Sequence, residues 1–218
     1  MDEMDGDGRD GREAPKGKKT PLARRIGEVC RDALVTTTEG FLDTGRKKEL
    51  WKGFSAAHGG DFKFKTTIDF AYTVFQLSVP FDDSEITFVE SDTHPLKVSS
   101  ILDPGDGFRF AIWPQDFVDA VMHIIGAQDV SIGDEEFDKA FVIKANDERR
   151  VKHLLESQEI RSFLLAGRYP FFGIESSEEG AQLRMTVNRT TETSGELDSL
   201  FSFFCTAIRR VRESGAAP

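Results

Sequence analysis

Cysteine is scarce in this sequence, which contains only Cys30 and Cys205. With no secretory signal and no dense cysteine pattern, both are predicted to be free thiols in a reducing compartment. Long apolar runs are also absent, and none approaches the roughly 20 residues that a membrane-spanning helix needs. The N-terminus, MDEMDGDGRDGREAP, lacks the apolar core of a signal peptide. These absences predict a cytoplasmic protein.

Positive charge is in the minority, with 28 Lys and Arg against 38 Asp and Glu and a net charge of −10. An acidic chain repels nucleic acid and anionic membrane at long range. Nucleic acid is therefore excluded as a predicted partner, and membrane contact is disfavoured. A protein or a small molecule remains as the predicted partner.

Motifs for phosphate and metal binding are missing. The sequence has no G-x-x-x-x-G-K-[ST] loop and no G-x-G-x-x-G after a strand. No histidine pair has the i, i+4 spacing of a zinc helix, and no H-E-x-x-H occurs. We therefore predict no cofactor and no metal ligands. The sequence has four histidines: His58, His94, His123 and His153.

The segment GFSAAHGG, residues 53–60, has a superficial likeness to a hydrolase nucleophile elbow. The elbow requires G-x-S-x-G on a strand-to-helix turn, but Ala57 stands where the second glycine is needed. Ser55 lies inside a helix predicted from Arg46 to His58, whose apolar stripe is formed by Leu50, Trp51, Phe54 and Ala57. The pair Gly59-Gly60 then predicts the helix stop, because glycine accepts the left-handed conformation there. No catalytic residue is predicted.

The hydrophobic pattern predicts an organisation in three parts. Residues 1–19 are a charged tail with little to bury and are predicted to be disordered. Residues 20–60 carry N-terminal helices, the first beginning at Thr20-Pro21. Residues 61–218 form an α+β domain, and residues 20–218 together are predicted to form one globular unit.

Several strands have hairpin-length connections, which favours a mainly antiparallel sheet packed with amphipathic helices, hence the α+β class. Strands are predicted in DFKFKTTIDFAYTVFQLSV, SEITFVE, GFRFAIW, KAFVIKA, PFFGIES and AQLRMTVNR. Two strand–helix units, one beginning at residue 107 and the other at residue 139, suggest a divergent duplication. The last helix is predicted over residues 194–213, with its arginines near the C-terminal end of the helix dipole.

The segment GDEEFDKAFVIKANDE, residues 133–148, concentrates carboxylates around one apolar strand. An EF-hand reading from Asp129 fails, because the sixth position is Asp134 instead of glycine. We therefore predict a turn at Gly133-Asp134 whose exposed side is solvated by Glu135, Glu136 and Asp138. After the strand, Asn146 is predicted to cap a helix, with Asp147 and Glu148 in its first turn. Phe141 and Ile143 are the predicted buried face.

The same region resembles a family of uncharacterised bacterial proteins with the motif G-x-Q-D-[IV]-x-I-G, then F-D-x-x-F-V-I-K-x-N-[DN]-E. Upstream likeness includes a Trp-led helix that ends in Gly-Gly and an Asp before an aromatic strand. This chain departs from the family by reading IDFAYTV at that strand. The resemblance covers most of residues 45–165 and implies a small bacterial protein without implying an activity. The candidate motif residues are Trp51, Asp69, Gly126, Asp129, Gly133, Asp134, Asp138, Lys144 and Asn146.

Two further function classes stay open beside a non-enzymatic binding or interaction protein. One is a hydrolase that uses carboxylates such as Asp69, Asp129 and Asp134, with or without a divalent metal. The other is a membrane-surface protein that uses the basic segment 16–25. The non-enzymatic binding or interaction protein is favoured because the core signals are abundant and no catalytic motif fits its structural context.

Overall fold

The fold is taken from a computed structural model that describes most of the chain after residue 43. The described ranges are 44–67, 72–102, 107–116, 128–167, 169–177 and 180–216. The predicted tail, the helix predicted from Thr20, Cys30 and the basic segment 16–25 lie outside these ranges. The helix predicted after Pro114 also lies outside them, so the proposed duplication stays a prediction, as do the domain boundaries.

Within the described ranges the chain forms nine strands and five helices. The strands are β1 (Asp61–Thr67), β2 (Tyr72–Phe81), β3 (Ser84–Ser91), β4 (His94–Leu102), β5 (Phe110–Pro114), β6 (Gln128–Asp129), β7 (Phe141–Ala145), β8 (Phe171–Ser177) and β9 (Gly180–Thr186). The helices are α1 (Thr44–His58), α2 (Glu135–Ala140), α3 (Glu148–Leu155), α4 (Gln158–Gly167) and α5 (Ser194–Ala216). None of the helices in this part of the chain is both long enough and apolar enough to cross a membrane.

The nine strands form one sheet in the order β1-β2-β3-β4-β9-β8-β5-β7-β6. Each pair of neighbouring strands is antiparallel. This arrangement confirms the predicted α+β class with an antiparallel sheet. β4, in HPLKVSSIL, was not predicted, because its proline and polar residues weaken the strand signal.

Alternation along the strands gives the sheet an apolar inner face. In β2, Phe75, Leu77 and Val79 are buried, and the register places them beside inward residues of β3 such as Phe88 and Ile86. Helices α1 and α5 contribute to the same core. On the opposite face, a smaller buried cluster joins β5 and β8 through Ala111, Trp113 and Phe171. The inner face is therefore the main core of the fold.

Helix α1 ends as the glycine pair predicts. Gly59 has φ +65°, and the Gly60 amide donates to the Ser55 carbonyl at 2.8 Å, the bond of a Schellman motif. The Ser55 hydroxyl is buried and donates to the Gly60 carbonyl at 2.8 Å. Ser55 therefore closes a helix end and has no nucleophile geometry. Ala57 was wrongly placed in the buried stripe, since it is exposed.

The arginines of the last helix were assigned the wrong electrostatic role. Helix α5 continues to Ala216, so no basic residue occupies its last turn. Instead, the Arg212 guanidinium pairs with Asp83 and donates to Ser84 Oγ at 2.7 Å. Arg209 lies over the Phe81 ring, 4.9 Å from its centroid. These contacts join α5 to the β2–β3 hairpin.

Two glycines with opposite environments provide a test of the sheet packing. A Cβ at Gly173 would lie 2.3 Å from the Phe110 carbonyl oxygen and 2.9 Å from the Ala111 Cα, both backbone atoms of β5. Gly173→Ala is therefore expected to lower the free energy of unfolding by about 1–3 kcal/mol. At Gly53, inside α1, a Cβ meets nothing within 4 Å. Gly53→Ala is expected to raise stability by about 0.5–1 kcal/mol, since glycine is a poor helix former.

Urea denaturation followed by circular dichroism measures both changes. The two midpoints should move in opposite directions with similar slopes. A Gly173→Ala midpoint equal to that of the native protein would show that β5 and β8 are not packed as closely as described.

Candidate functional site

Asp134 begins a helix where the sequence pattern predicts a turn. Its carboxylate accepts a hydrogen bond from the Phe137 amide at 3.2 Å and is the N-cap of α2. Gly133, with φ +80°, provides the left-handed residue before this cap. The prediction was wrong because the helix has only six residues, too few for a helical hydrophobic period to be visible.

Asp138 was predicted to be a solvated surface carboxylate, and that role is wrong. Its carboxylate accepts hydrogen bonds from Ser131 Oγ at 2.6 Å, the Ile132 amide at 3.0 Å and the Gly133 amide at 2.9 Å. Burial acts to raise the pKa of Asp138, but the three hydrogen bonds and the attraction of Lys152 together outweigh it and lower the pKa below its usual value. Asp138 therefore stabilises the loop that leads into α2.

Asp129 and Asp134, two carboxylates of the hydrolase alternative, each lie beside a cation. Asp129 Oδ1 is 3.5 Å from Lys144 Nζ, and Asp134 Oδ2 is 3.2 Å from Arg161 Nε. Within the described ranges, no three His, Cys, Asp or Glu side chains form a group that could bind a metal ion. Asp69, the third carboxylate of that alternative, and Gly126 lie outside these ranges.

Asn146 connects two strands and does not cap α3. Its amide oxygen accepts from the Arg109 amide at 2.8 Å, and its Nδ2 donates to the Gly107 carbonyl at 3.0 Å. The N-cap of α3 is Asp147, which accepts from the Arg150 amide at 3.1 Å. The Asn146 amide has both a donor and an acceptor, which suits its contacts with Gly107 and Arg109, whereas a helix N-cap needs only an acceptor. The motif residues Asp134, Asp138 and Asn146 thus each have a structural role.

Trp51 lies in the core and is fully buried at 0% exposure. Its ring packs against Phe75 and Phe62, with centroid distances of 5.7 and 6.2 Å. Within the described part of the chain, its Nε1 has no hydrogen-bond partner. The candidates that the structure describes do not converge on one site, since Trp51 belongs to α1, whereas Asp129 to Asn146 surround β7.

A buried ion pair that sequence reasoning missed lies one turn before Trp51. Lys47, at 5% exposure, pairs with Glu90, at 0%, and Thr191 Oγ1 donates to the other Glu90 oxygen at 3.0 Å. Burial raises the pKa of Glu90 and lowers that of Lys47, and the attraction between the two side chains opposes both shifts. The feature of the sequence that could have predicted this pair is Glu90, a charged residue at an inward position of β3 after Ile86 and Phe88.

Thr191 also lines a cleft of about 370 Å³, which we call the α4–α5 cleft. Its walls come from the end of α4, the segment after β9 and the start of α5. The lining residues within the described ranges are Phe163, Ala166, Gly167, Tyr169, Val187, Arg189, Thr191, Thr193, Gly195, Glu196, Ser199 and Leu200. No sequence motif pointed to this cleft, since its residues come from three separate segments.

Aromatic side chains form one wall of the α4–α5 cleft. Phe163 is stacked between Tyr169 and Phe203, with centroid distances of 5.0 and 4.3 Å. Gly167 permits this arrangement, because a Cβ there would lie 2.1 Å from Tyr169 Cε2. Tyr169 is 6% exposed, and burial raises the pKa of its phenol above the usual value. The wall is therefore aromatic and uncharged at neutral pH.

The charged lining residues that the structure describes are Arg189 and Glu196. Glu196 Oε2 accepts from the Glu192 amide at 2.8 Å and the Thr193 amide at 3.2 Å, and Thr193 Oγ1 accepts from the Glu196 amide at 3.3 Å. These reciprocal bonds form a capping box at the start of α5. Glu196 Oε1 lies 3.6 Å from Arg189. Neither group resembles a free general acid or base.

The three described histidines are dispersed. His58 Nε2 is 2.8 Å from Asp198 Oδ1 at the junction of α1 and α5. His94 Nδ1 lies 2.7 Å from Thr93 Oγ1 in the β3–β4 turn. His153 Nδ1 lies 3.4 Å from Glu156. His123 is outside the described residues. None of these three lines the α4–α5 cleft.

Comparison with models of protein families gave no match, and neither did comparison with curated proteins. The fold itself has a counterpart among solved structures, the mycobacterial trehalose monomycolate transport factor A, TtfA. The TM-score is 0.51, and the likeness covers 78% of this chain and 94% of that one. The identity is 8%, so the likeness concerns the fold alone. The bacterial family suggested by the motif stays a prediction.

Asp138 provides a pH-dependent test of the acidic loop. Because its folded pKa is lowered, its contribution is present at neutral pH and is lost as the pH falls through the folded value. Asp138→Asn is expected to cost about 1–3 kcal/mol at neutral pH. The difference from the native protein should shrink below about pH 4. Urea titrations at a series of pH values measure this difference in stability. Asp129→Asn, at an exposed ion pair, is the control and should change stability by less than about 0.5 kcal/mol. Equal effects of the two variants would contradict the assigned role of Asp138.

The buried pair is tested by a double-mutant cycle. Lys47→Met leaves the Glu90 carboxyl buried without its cation and is expected to cost about 3–5 kcal/mol. Adding Glu90→Leu should restore much of this loss, since it removes the buried acid. Lys139→Met, at an exposed pair with Glu135, is the control and should cost less than about 1 kcal/mol. If the two buried changes are additive in urea denaturation, Lys47 and Glu90 are not coupled.

Proposed function

We propose that this chain is a non-enzymatic binding protein whose ligand enters the α4–α5 cleft. The observation that carries the proposal is that the charged groups of the described lining, Arg189 and Glu196, lie beside each other as an ion pair. Glu196 is bonded to two backbone amides and lies beside Arg189, so the described lining has shape and polarity without a free acid or base. A general acid or base must reach the proton that it transfers. Such a cleft is suited to binding.

The shape and chemistry of the cleft support the same proposal. Its volume of about 370 Å³ is within the range of about 300–1,000 Å³ found for ligand pockets. Phe163 and Leu200 supply apolar surface, while Thr191, Thr193 and Ser199 supply hydroxyl groups. An apolar wall with a few polar groups is typical of small-molecule sites. The cytoplasmic compartment is part of this proposal and rests on the sequence pattern.

The proposal is tested by NMR of isotope-labelled protein titrated with mixtures of small aromatic and aliphatic fragments. Binding fragments should shift the backbone signals of cleft residues such as Gly167, Thr191 and Ser199. Ala166→Trp, an exposed lining position on α4, should fill the cleft and weaken fragment binding about tenfold or more. Ala57→Trp, exposed on α1 and not among the lining residues, is the matched control and should leave binding unchanged.

Two outcomes would contradict the proposal. If fragments shift signals only outside the cleft, or bind Ala166→Trp as well as the native protein, the site is wrong. If the same spectra show bound fragments being converted to new compounds, the non-enzymatic assignment is wrong. Circular dichroism and thermal melting of both tryptophan variants verify that each is folded.

A further inference from the structure

We infer that the α4–α5 cleft selects a small uncharged ligand that combines an apolar body with a hydrogen-bond donor such as a hydroxyl or amide N–H. This inference rests on the proposed function and adds the chemical class of the ligand. It depends on three properties of the described lining: the paired charges, the orientation of the hydroxyl protons and the aromatic wall.

A ligand carboxylate meets the Glu196 carboxylate at each positive group of the described lining. The amides of Glu192 and Thr193 at the start of α5 donate to Glu196 Oε2, and Glu196 Oε1 is the near partner of Arg189. An anion at the start of α5 would have to displace Glu196 from the two amides, and an anion at Arg189 would lie near the Glu196 carboxylate, which repels it. The net charge of −10 opposes anions at longer range. Anionic ligands are therefore disfavoured in the native protein.

A ligand ammonium meets the converse difficulty. The Glu196 carboxylate is the acidic group of the described lining, and its free side faces Arg189 at 3.6 Å. A cation that approached Glu196 would lie beside the guanidinium, and like charges at short range repel. Cationic ligands are disfavoured for this reason.

The hydroxyl groups favour a ligand that donates. Thr191 Oγ1 uses its proton on Glu90 Oε2, at 3.0 Å, and Ser199 Oγ uses its proton on the Gly195 carbonyl, at 2.7 Å. Each hydroxyl has one proton and two lone pairs, so both oxygens retain acceptor capacity. A ligand O–H or N–H can satisfy that capacity without breaking either bond.

The apolar wall accounts for the remaining part of the ligand. Phe163 is held against Tyr169 and Phe203 by stacking, so its position is set before any ligand arrives. Val187 and Leu200 extend the same surface. A flat apolar body would exchange water for these side chains, which is favourable in proportion to the area buried.

Four naphthyl probes that share one ring system test the inference by isothermal titration calorimetry. They are naphthylmethanol, its methyl ether, naphthoate and naphthylmethylammonium. In the native protein the alcohol should bind about tenfold or more tightly than either ion, and roughly threefold or more tightly than the ether, which has no donor.

Two charge variants make the test specific. Glu196→Gln retains a residue that suits the capping box while it releases Arg189, so naphthoate should gain about tenfold in affinity. Arg189→Gln leaves Glu196 without its neighbouring cation, so naphthylmethylammonium should gain instead. Ala166→Trp should weaken binding of every probe, and Ala57→Trp should not.

The outcomes separate this inference from the proposed function. If the native protein binds none of the four probes, the cleft is not a ligand site and the proposed function fails. If the probes bind and Ala166→Trp blocks them, but charge makes no difference, the proposed function stands and the present inference is overturned. An ether that binds as well as the alcohol would overturn the donor requirement alone.

Discussion

Burial of the inner face of the nine-stranded sheet is the interaction on which the other features depend. Strand alternation places Phe75, Leu77 and Phe88 on that face, and such side chains must be covered to contribute their roughly 1.5–3 kcal/mol each. Helices α1 and α5 belong to the same core. Their positions bring Lys47 to Glu90 and place the start of α5 beside the end of α4. The buried pair and the α4–α5 cleft are therefore consequences of how the sheet is covered.

Elements with a strong hydrophobic period were predictable from the sequence. The stripe of α1, the Gly59-Gly60 stop and the buried face of β7 at Phe141 and Ile143 were predicted from spacing alone, and the structure confirms them except at Ala57. The elements that were missed have no such period. β4 contains a proline and several polar residues, and α2 is shorter than two helical turns. The order of the strands depends on long-range pairing, which no local pattern encodes.

Site prediction was less successful because a site is a property of three-dimensional proximity. Motif spacing singled out Asp134, Asp138 and Asn146, and each has a structural role: a cap, a loop contact and a strand connection. Asn146 and Asp147 are adjacent, and both residue types are favoured at N-caps, so the sequence alone did not identify which of them caps α3. Glu90 at an inward strand position was the one local sign of the buried pair, and its partner is 43 residues away.

The strand order also determines when the sheet can be completed during synthesis. β4 pairs on one side with β3, its neighbour in sequence, but its other edge pairs with β9, which follows β5 to β8 along the chain. Until Gly180–Thr186 has left the ribosome, the β4 edge has no partner from this sheet. Pairings of this kind are slow to form, and unpaired edges promote association with other chains. A nascent or truncated chain that ends before β9 would thus present an open edge at the place where the finished sheet is continuous.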